Sequence, residues 1–163
     1  MSDEVITSPP AGALAAPQGT VAASFSALES ALDYLNAAEI EQVRQAFRFA
    51  DQAHLGQLRN NGDPYVTHPI AVALQCTEWK LDVQALCAAL MHDVLEDCGC
   101  SKADLVQQFG PQVADLVDGL TKLDKLEFDS REQNQAESFR KMLLAMARDV
   151  RVILIKLADR THN

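Results

Sequence analysis

The stretch Met91-His92-Asp93-Val94-Leu95-Glu96-Asp97 follows directly on the apolar run Leu86-Cys87-Ala88-Ala89-Leu90. Such a run reads as a helix, and the charges at its end are costly to hold beside a core unless they are paired or bound to a metal. At about 100° per residue, His92 and Glu96 lie about 40° apart on a helix, as do Asp93 and Asp97, so all four fall within an arc of about 140°. One face would then carry an imidazole and three carboxylates, a metal-ligand set with carboxylates to spare. The plainer reading is a solvated, capped helix end. The rest of the chain decides between the two.

Working outward, Asp82 is placed to cap a helix running from Val83 to Asp97, and Gly99 breaks it. Upstream, Leu58-Arg59-Asn60-Asn61-Gly62-Asp63-Pro64-Tyr65-Val66-Thr67-His68-Pro69 holds strong turn chemistry in Asn-Asn-Gly-Asp-Pro. Pro69 suits the first turn of a helix from Ile70 to Trp79, so His68 stands at a helix start. Before that turn, Ile40, Val43, Phe47, Ala50 and His54 form one apolar helical face, ended by Gly56. His54 on such a face reads as a core histidine before it reads as a ligand. A short amphipathic helix is expected from about Ser26 to Leu35. The Ala-, Pro- and Ser-rich residues before it, 1–25, read as a disordered tail.

Downstream, Ser101 caps a helix with Asp104 as its capping-box partner, and Phe109-Gly110-Pro111 stops it. Gln112 to Leu123 is a further helix, with Val113, Leu116, Val117 and Leu120 on one face. Asp124 to Ser130 reads as a charged loop. Arg131 to Arg148 reads as a helix with Phe139, Met142, Leu143 and Met146 as its buried stripe. Asp149 caps the last segment, from Val150 to Asp159. Its β-branched run could pass for a strand. With no second convincing strand to pair with, it reads as a buried helix, and the fold class is all-α. There are no internal repeats and no glycine-rich phosphate loop.

Composition narrows the function. The chain has 163 residues, enough for one domain with a core; it is 48% hydrophobic and 6% aromatic, with a formal net charge of −9. That charge argues against nucleic-acid binding, so an anionic ligand would need a local basic patch or a metal. Cys76 and Cys87 fall on apolar helical stretches and read as core residues. Cys98-Gly-Cys100 has C-x-C spacing and no second pair, a weak metal or redox signal. No apolar run is long enough to span a membrane, and Asp3 and Glu4 stand where a signal peptide would carry positive charge. A reducing, cytoplasmic setting is expected.

The last segment ends Lys156-Leu157-Ala158-Asp159-Arg160-Thr161-His162-Asn163. Alone, Asp159 reads as an ion-pair partner. With His68 and His92-Asp93 it completes two imidazoles and two carboxylates, donors that suit Mn, Fe, Ni or Zn better than Ca or Mg. Spacing alone cannot join three segments so far apart. The order His, His-Asp, Asp on a helical chain resembles the HD phosphohydrolase superfamily. Several longer words are more specific: Arg59-x-x-Gly62-x-Pro64-Tyr65-x-x-His68-Pro69, His92-Asp93-Val94-x-Glu96-Asp97, Leu120-Thr121-Lys122-Leu123, Gln135-Ala136-Glu137-x-Phe139-Arg140-Lys141-Met142 and the run from Val152 to Asn163. Together, from about Ile40 onward, they resemble the N-terminal hydrolase domain of the RelA/SpoT family, the long bifunctional enzymes of the stringent response.

The resemblance implies an all-α HD-type hydrolase domain over residues 26–163, truncated at its C-terminal side, with synthetase and regulatory domains downstream in the parent protein. It implies that His68, His92, Asp93 and Asp159 bind one Mn²⁺, with Glu96 and Asp97 beside it as acid/base and water-positioning groups. It implies that Arg59 stacks on the guanine and that Asn163 lies near the nucleoside. Lys122, Lys125, Arg140 and Lys141 could line the path of the anion, or form only a solvated face. The substrate would be guanosine 3′,5′-bis(diphosphate) or the pentaphosphate, cut to GDP or GTP and pyrophosphate. Filled ligand positions resemble the hydrolase-competent branch, whereas RelA-type synthetases lack them. Many relatives have a basic residue after this arginine; here it is Asn60. The rival readings are an HD phosphohydrolase of another nucleotide and a non-catalytic regulatory HD module.

Overall fold

Apolar residues at three- and four-residue spacing become helices through most of the chain. The computed structural model describes residues 6–7, 15–129, 139–140, 143–144 and 149–162, and side chains over the same residues except 6–7, 15–19, 96–97 and 125–129. The helices are α1 (Ala15–Ser30), α2 (Ala37–Ala53), α3 (Thr67–Glu78), α4 (Val83–Met91), α5 (Val94–Asp97), α6 (Lys102–Phe109), α7 (Pro111–Asp129) and α8 (Val150–His162). A two-residue strand β1 (Ile6–Thr7) pairs antiparallel with β2 (Gln57–Leu58), just before the turn that carries Arg59. No helix among the described residues is long and apolar enough to cross a membrane.

Helix α4 is the centre. It packs against α2, α3 and α7 and touches α8, and every residue from Ala85 to Met91 is buried. A helix apolar all round belongs inside a domain. Helix α3 fills the space between α1, α4 and α8, and α7 covers α4 and α8 from the far side. Gly119 lies where α7 meets α8: a Cβ there would stand 3.2 Å from Val152 Cγ2. Local sequence fixes the helix starts. Asn36 Oδ1 accepts from the Glu39 amide at 2.8 Å while the Glu39 carboxylate takes the Asn36 amide at 3.0 Å. The same reciprocal box joins Ser101 and Asp104.

Five expectations are corrected. Helix α1 begins at Ala15, inside the segment read as a tail, and ends at Ser30. Helix α3 starts at Thr67, so His68 is already helical. The helix expected from Val83 to Asp97 breaks at His92 and Asp93. His92 Nδ1 lies 2.7 Å from the Ala89 carbonyl, the acceptor that the Asp93 amide would use in an unbroken helix, so the side chain competes with the ladder. The stretch read as a charged loop from Asp124 is helical to Asp129. Its apolar stripe continues through the buried Leu120 and Leu123, and Lys156 of α8 binds Asp124. Phe139 and Leu143, expected in a buried stripe, are 62% and 47% exposed, and no described element covers them. Ser130, Met142 and Met146 lie outside the described residues.

Candidate metal centre

The turn Asn61–Asp63 is built as its residues require. Gly62 has φ +91°, in the region that favours glycine, and its amide donates to the Arg59 carbonyl at 2.9 Å. Asn61 Oδ1 accepts from the Asp63 amide at 3.0 Å. This reverses the chain so that Arg59 and His68 arrive on one side. The break after Met91 turns His92 and Asp93 inward, where both are buried. Helix α8 then brings Asp159 to them.

At the centre, His68 Nε2 lies 2.6 Å from Asp159 Oδ1, and His92 Nε2 lies 3.2 Å from both Asp159 Oδ1 and Asp93 Oδ2. Donor atoms of His68, His92 and Asp159 all fall within 4.8 Å of one another. Asp93 joins them through His92, and its Oδ2 takes the Tyr65 hydroxyl at 2.6 Å. All four are buried.

The electrostatics follow from that packing. Burial alone would push the His92 imidazole down, but Asp93 and Asp159 outweigh it and hold it well above the usual histidine value. For Asp93, burial opposes the charge and His92 overcomes it, drawing the carboxyl down to about 2. Asp159 behaves likewise under His68 and His92 and sits well below the usual carboxylate range. Burial wins at His68, whose imidazole is pushed down.

This donor set fits a divalent cation. His92 Nε2 is buried, faces two carboxylate oxygens, and has no hydrogen bond of acceptable geometry among the described residues. Two imidazole nitrogens and two carboxylates are the ligands that borderline divalent metals take. The nitrogen and carboxylate electron pairs that can take a proton are those a cation would share.

Other residues hold the donors in place. Lys156 Nζ lies 3.3 Å from Asp159 Oδ2 and also binds Asp124, tying α8 to α7 beneath the site. Burial raises the Asp124 carboxyl against the pull of Lys156. His54 is the buried core histidine expected, with Nδ1 2.9 Å from Gln57 Oε1 and its ring 4.9 Å from that of Tyr65. Arg59 Nη1 reaches His162 Nδ1 at 3.2 Å, and His162 Nδ1 lies 2.7 Å from His68 Nδ1. Burial, then His68 and Arg59, push the His162 imidazole down.

Sequence reasoning assigned no role to Tyr65, Lys156 or His162. Lys156 and His162 stand three residues either side of Asp159, on its side of a helix, and that spacing was the available signal. Of the other expected residues, Arg59 is buried beside the centre. Lys122 is 68% exposed and paired with Asp118 at 3.0 Å, a residue that also holds Lys102 of α6. Arg140 is exposed. The side chains of Glu96, Asp97 and Lys125, and residues Lys141 and Asn163 altogether, lie outside the described residues. Cys76 and Cys87 are buried thiols, and Cys98 and Cys100 are likewise outside any disulfide.

The HD domain family matches residues 46–163. The chain is 56% identical over 133 residues to the guanosine-3′,5′-bis(diphosphate) 3′-pyrophosphohydrolase of Vibrio cholerae, covering 82% of this chain and 19% of that one. It is 55% identical over 130 residues to the bifunctional (p)ppGpp synthase/hydrolase SpoT of Escherichia coli, covering 80% and 18%. Against the GTP pyrophosphokinase of Myxococcus xanthus the identity is 47% over 128 residues, covering 77% and 17%. The chain thus spans less than a fifth of the length of these relatives. Among solved structures, it resembles one described as a metazoan ortholog of SpoT that hydrolyzes ppGpp and plays a role in starvation responses. That structure is 32% identical with a TM-score of 0.58, covering 80% of this chain and 70% of that one. A helical fold that gathers two histidines and two aspartates, a match through the HD domain and these relatives together show that the chain belongs to the HD-domain family, on its RelA/SpoT branch.

Proposed function

We propose that this chain is the hydrolase part of an enzyme that removes the 3′-pyrophosphate of guanosine 3′,5′-bis(diphosphate) and of the pentaphosphate, giving GDP or GTP and pyrophosphate. The observation that carries the reading is the buried gathering of His68, His92, Asp93 and Asp159 in a chain whose relatives are named for that reaction. Those four residues would hold the metal, and Mn²⁺ is the ion proposed. When bound, a divalent cation lowers the pKa of water and neutralises phosphate charge.

The remaining work falls to the chain itself. Glu96 and Asp97 follow the ligands on α5. They would position the attacking water, take its proton, and return one to the departing ribose 3′ oxygen. The water oxygen forms the new bond to phosphorus, and the bond from phosphorus to the 3′ oxygen breaks. Tyr65 holds the Asp93 carboxylate by its hydroxyl, and Lys156 holds the second oxygen of Asp159. Arg59 would lay its planar guanidinium on the guanine, a contact lysine makes less well. Lys122, Arg140 and Asn163 would meet the phosphates and the nucleoside. Asn60 removes a positive charge from the loop and should loosen its hold on the phosphates. The substrate is a small guanine nucleotide met in the cytoplasm.

The test is pyrophosphate release from ppGpp by the full-length protein that carries this chain, with Mn²⁺ and with chelator. Release should require the metal and vanish in His92→Ala. Release that ignores both would sink the reading.

A further inference from the structure

Arg59, His162 and His68 stand in a row. Arg59 Nη1 is 3.2 Å from His162 Nδ1, which is 2.7 Å from His68 Nδ1. The two imidazoles are within 25° of parallel, with centroids 4.9 Å apart, so they meet at their Nδ1 edges. His68 uses its other nitrogen on Asp159, at 2.6 Å. The protons along this row follow from one fixed point. A guanidinium carries only donors and keeps its charge. His162 Nδ1 must therefore accept from Arg59, which leaves it no proton to give. The short contact between the two Nδ1 atoms then needs its proton from His68.

We infer that His162 is a positioning residue that sets the tautomer of His68: with its own proton on Nε2, it accepts at Nδ1 from both Arg59 and His68, and so turns the His68 Nε2 lone pair toward Asp159. This rests on the reading of His68 as a ligand and of Arg59 as a nucleotide contact. An Nδ1–H imidazole presents a lone pair to a carboxylate oxygen 2.6 Å away. Two lone pairs at that distance require a cation between or beside them, the place the metal would take. Histidine ligands commonly donate their second nitrogen to an acceptor, which raises their basicity and fixes their orientation. What is particular here is that the acceptor also holds Arg59. One exposed imidazole thereby joins the residue proposed to grip the base to a residue proposed to grip the metal.

His162 is exposed, so its replacement should leave the fold intact. His162→Phe keeps a ring and removes the acceptor. His162→Asn keeps an acceptor, since its Oδ1 stands about where Nδ1 stood. Mn²⁺ affinity of the full-length protein would be measured by spin resonance without nucleotide, and KM for ppGpp with Mn²⁺ saturating. The Phe variant should bind Mn²⁺ about 10- to 100-fold more weakly and show a raised KM even at saturating metal. The Asn variant should return close to wild type on both. Nitrogen-15 spectra of the metal-free wild-type protein should show a proton on His68 Nδ1. An unprotonated His68 Nδ1 overturns the inference without recourse to any variant. So does unchanged Mn²⁺ affinity in the Phe variant. If the wild-type protein binds Mn²⁺ but leaves ppGpp intact, the proposed reaction fails and this assignment stands. If it cleaves ppGpp and the Phe variant binds Mn²⁺ as well as wild type, the reaction stands and the assignment fails.

Discussion

Helices α4 and α8 run in the same direction, and their two ends are joined in opposite ways. At the start, Arg151 bridges the residues that precede the two helices. Its Nη1 lies 2.6 Å from Asp82 Oδ2 and its Nη2 2.7 Å from Asp149 Oδ2. At the finish, His92 and Asp93, just past α4, meet Asp159 of α8, with Lys156 on the second oxygen of Asp159. The starting set is wet, with side-chain exposures of 25% for Arg151, 47% for Asp82 and 30% for Asp149. The finishing set is nearly dry, with 3% for His92, 6% for Asp93 and 5% for Asp159. A wet guanidinium between two carboxylates satisfies itself and serves as a clamp. A dry set with more carboxylates than fixed cations keeps electron pairs for something else. The wet clamp thus stands where it can hold the dry end of the same helix pair in register.

The largest break in that comparison comes from removing a donor at the dry end. His92→Ala or Asp93→Ala should lower ppGpp hydrolysis by at least about 1,000-fold, several kcal/mol of barrier. Mn²⁺ affinity should fall with it while far-UV circular dichroism stays nearly unchanged. Wild-type turnover in either variant, with Mn²⁺ in excess, would show that these residues are not ligands.

The cations at the two ends come next. Lys156→Met would leave the half-buried Asp124 without its lysine and Asp159 with only its histidine partners, a loss of about 3 kcal/mol. For a chain of this size that is a fall in Tm of roughly 10 °C. Arg151→Met removes an exposed clamp and should cost about 1 kcal/mol or less. The difference also has a pH signature. Arg151 holds the Asp149 carboxyl below its ordinary value. A depressed folded value means that stability is present above about pH 4 and is lost as pH falls through the folded value. The small gap in Tm between wild type and Arg151→Met should therefore close as the solution is acidified. Equal losses for the two variants at neutral pH would mean that burial does not separate the two ends.

How much of this could be read in the chain depends on how local each cause is. Helix α8 was legible as a helix because the sequence offers no second convincing strand to pair with its β-branched run, and His68 could be placed at a helix start because Pro69 follows it. The gathering of His68, His92 and Asp159 could be expected only through longer words, since the three lie far apart in the chain and meet only through packing. The break at His92 was not legible. It depends on the imidazole reaching the Ala89 carbonyl, and helical periodicity carries no sign of that. Tyr65 and His162 stand inside recognisable words, but their partners Asp93 and Arg59 sit 28 and 103 residues away. Helix α7 runs past its expected end, and one contact on that extension, Asp124 to Lys156, comes from another helix that the local sequence does not reveal.

A smaller change tests recognition without touching the metal. Arg59→Lys keeps the charge and loses the planar face. KM for ppGpp should rise about tenfold, the equivalent of roughly 1.4 kcal/mol of lost stacking. Mn²⁺ affinity should move much less. An unchanged KM would give Arg59 a structural role alone.

The smallest effect is expected where α7 meets the starting half of α8. Gly119→Ala would put a methyl group 3.2 Å from Val152 Cγ2, so Val152 must yield by a few tenths of an ångström. Against that, replacing glycine inside a helix gains about 1 kcal/mol of helix propensity. The two effects should nearly cancel, leaving Tm within about 3 °C of wild type. Val152 adjoins Arg151, seven residues before Asp159, so any shift enters at the clamped end of α8 and must cross almost two turns to reach the site. If the clamp fixes the register of α8, the shift is absorbed there and Mn²⁺ affinity stays at the wild-type value. The double variant Gly119→Ala with Arg151→Met releases the clamp and should then lose metal affinity that neither single change loses. That non-additivity is the measurement of interest. Strictly additive affinities would mean that α8 is held at the site by its own contacts, with the Arg151 clamp contributing only to stability.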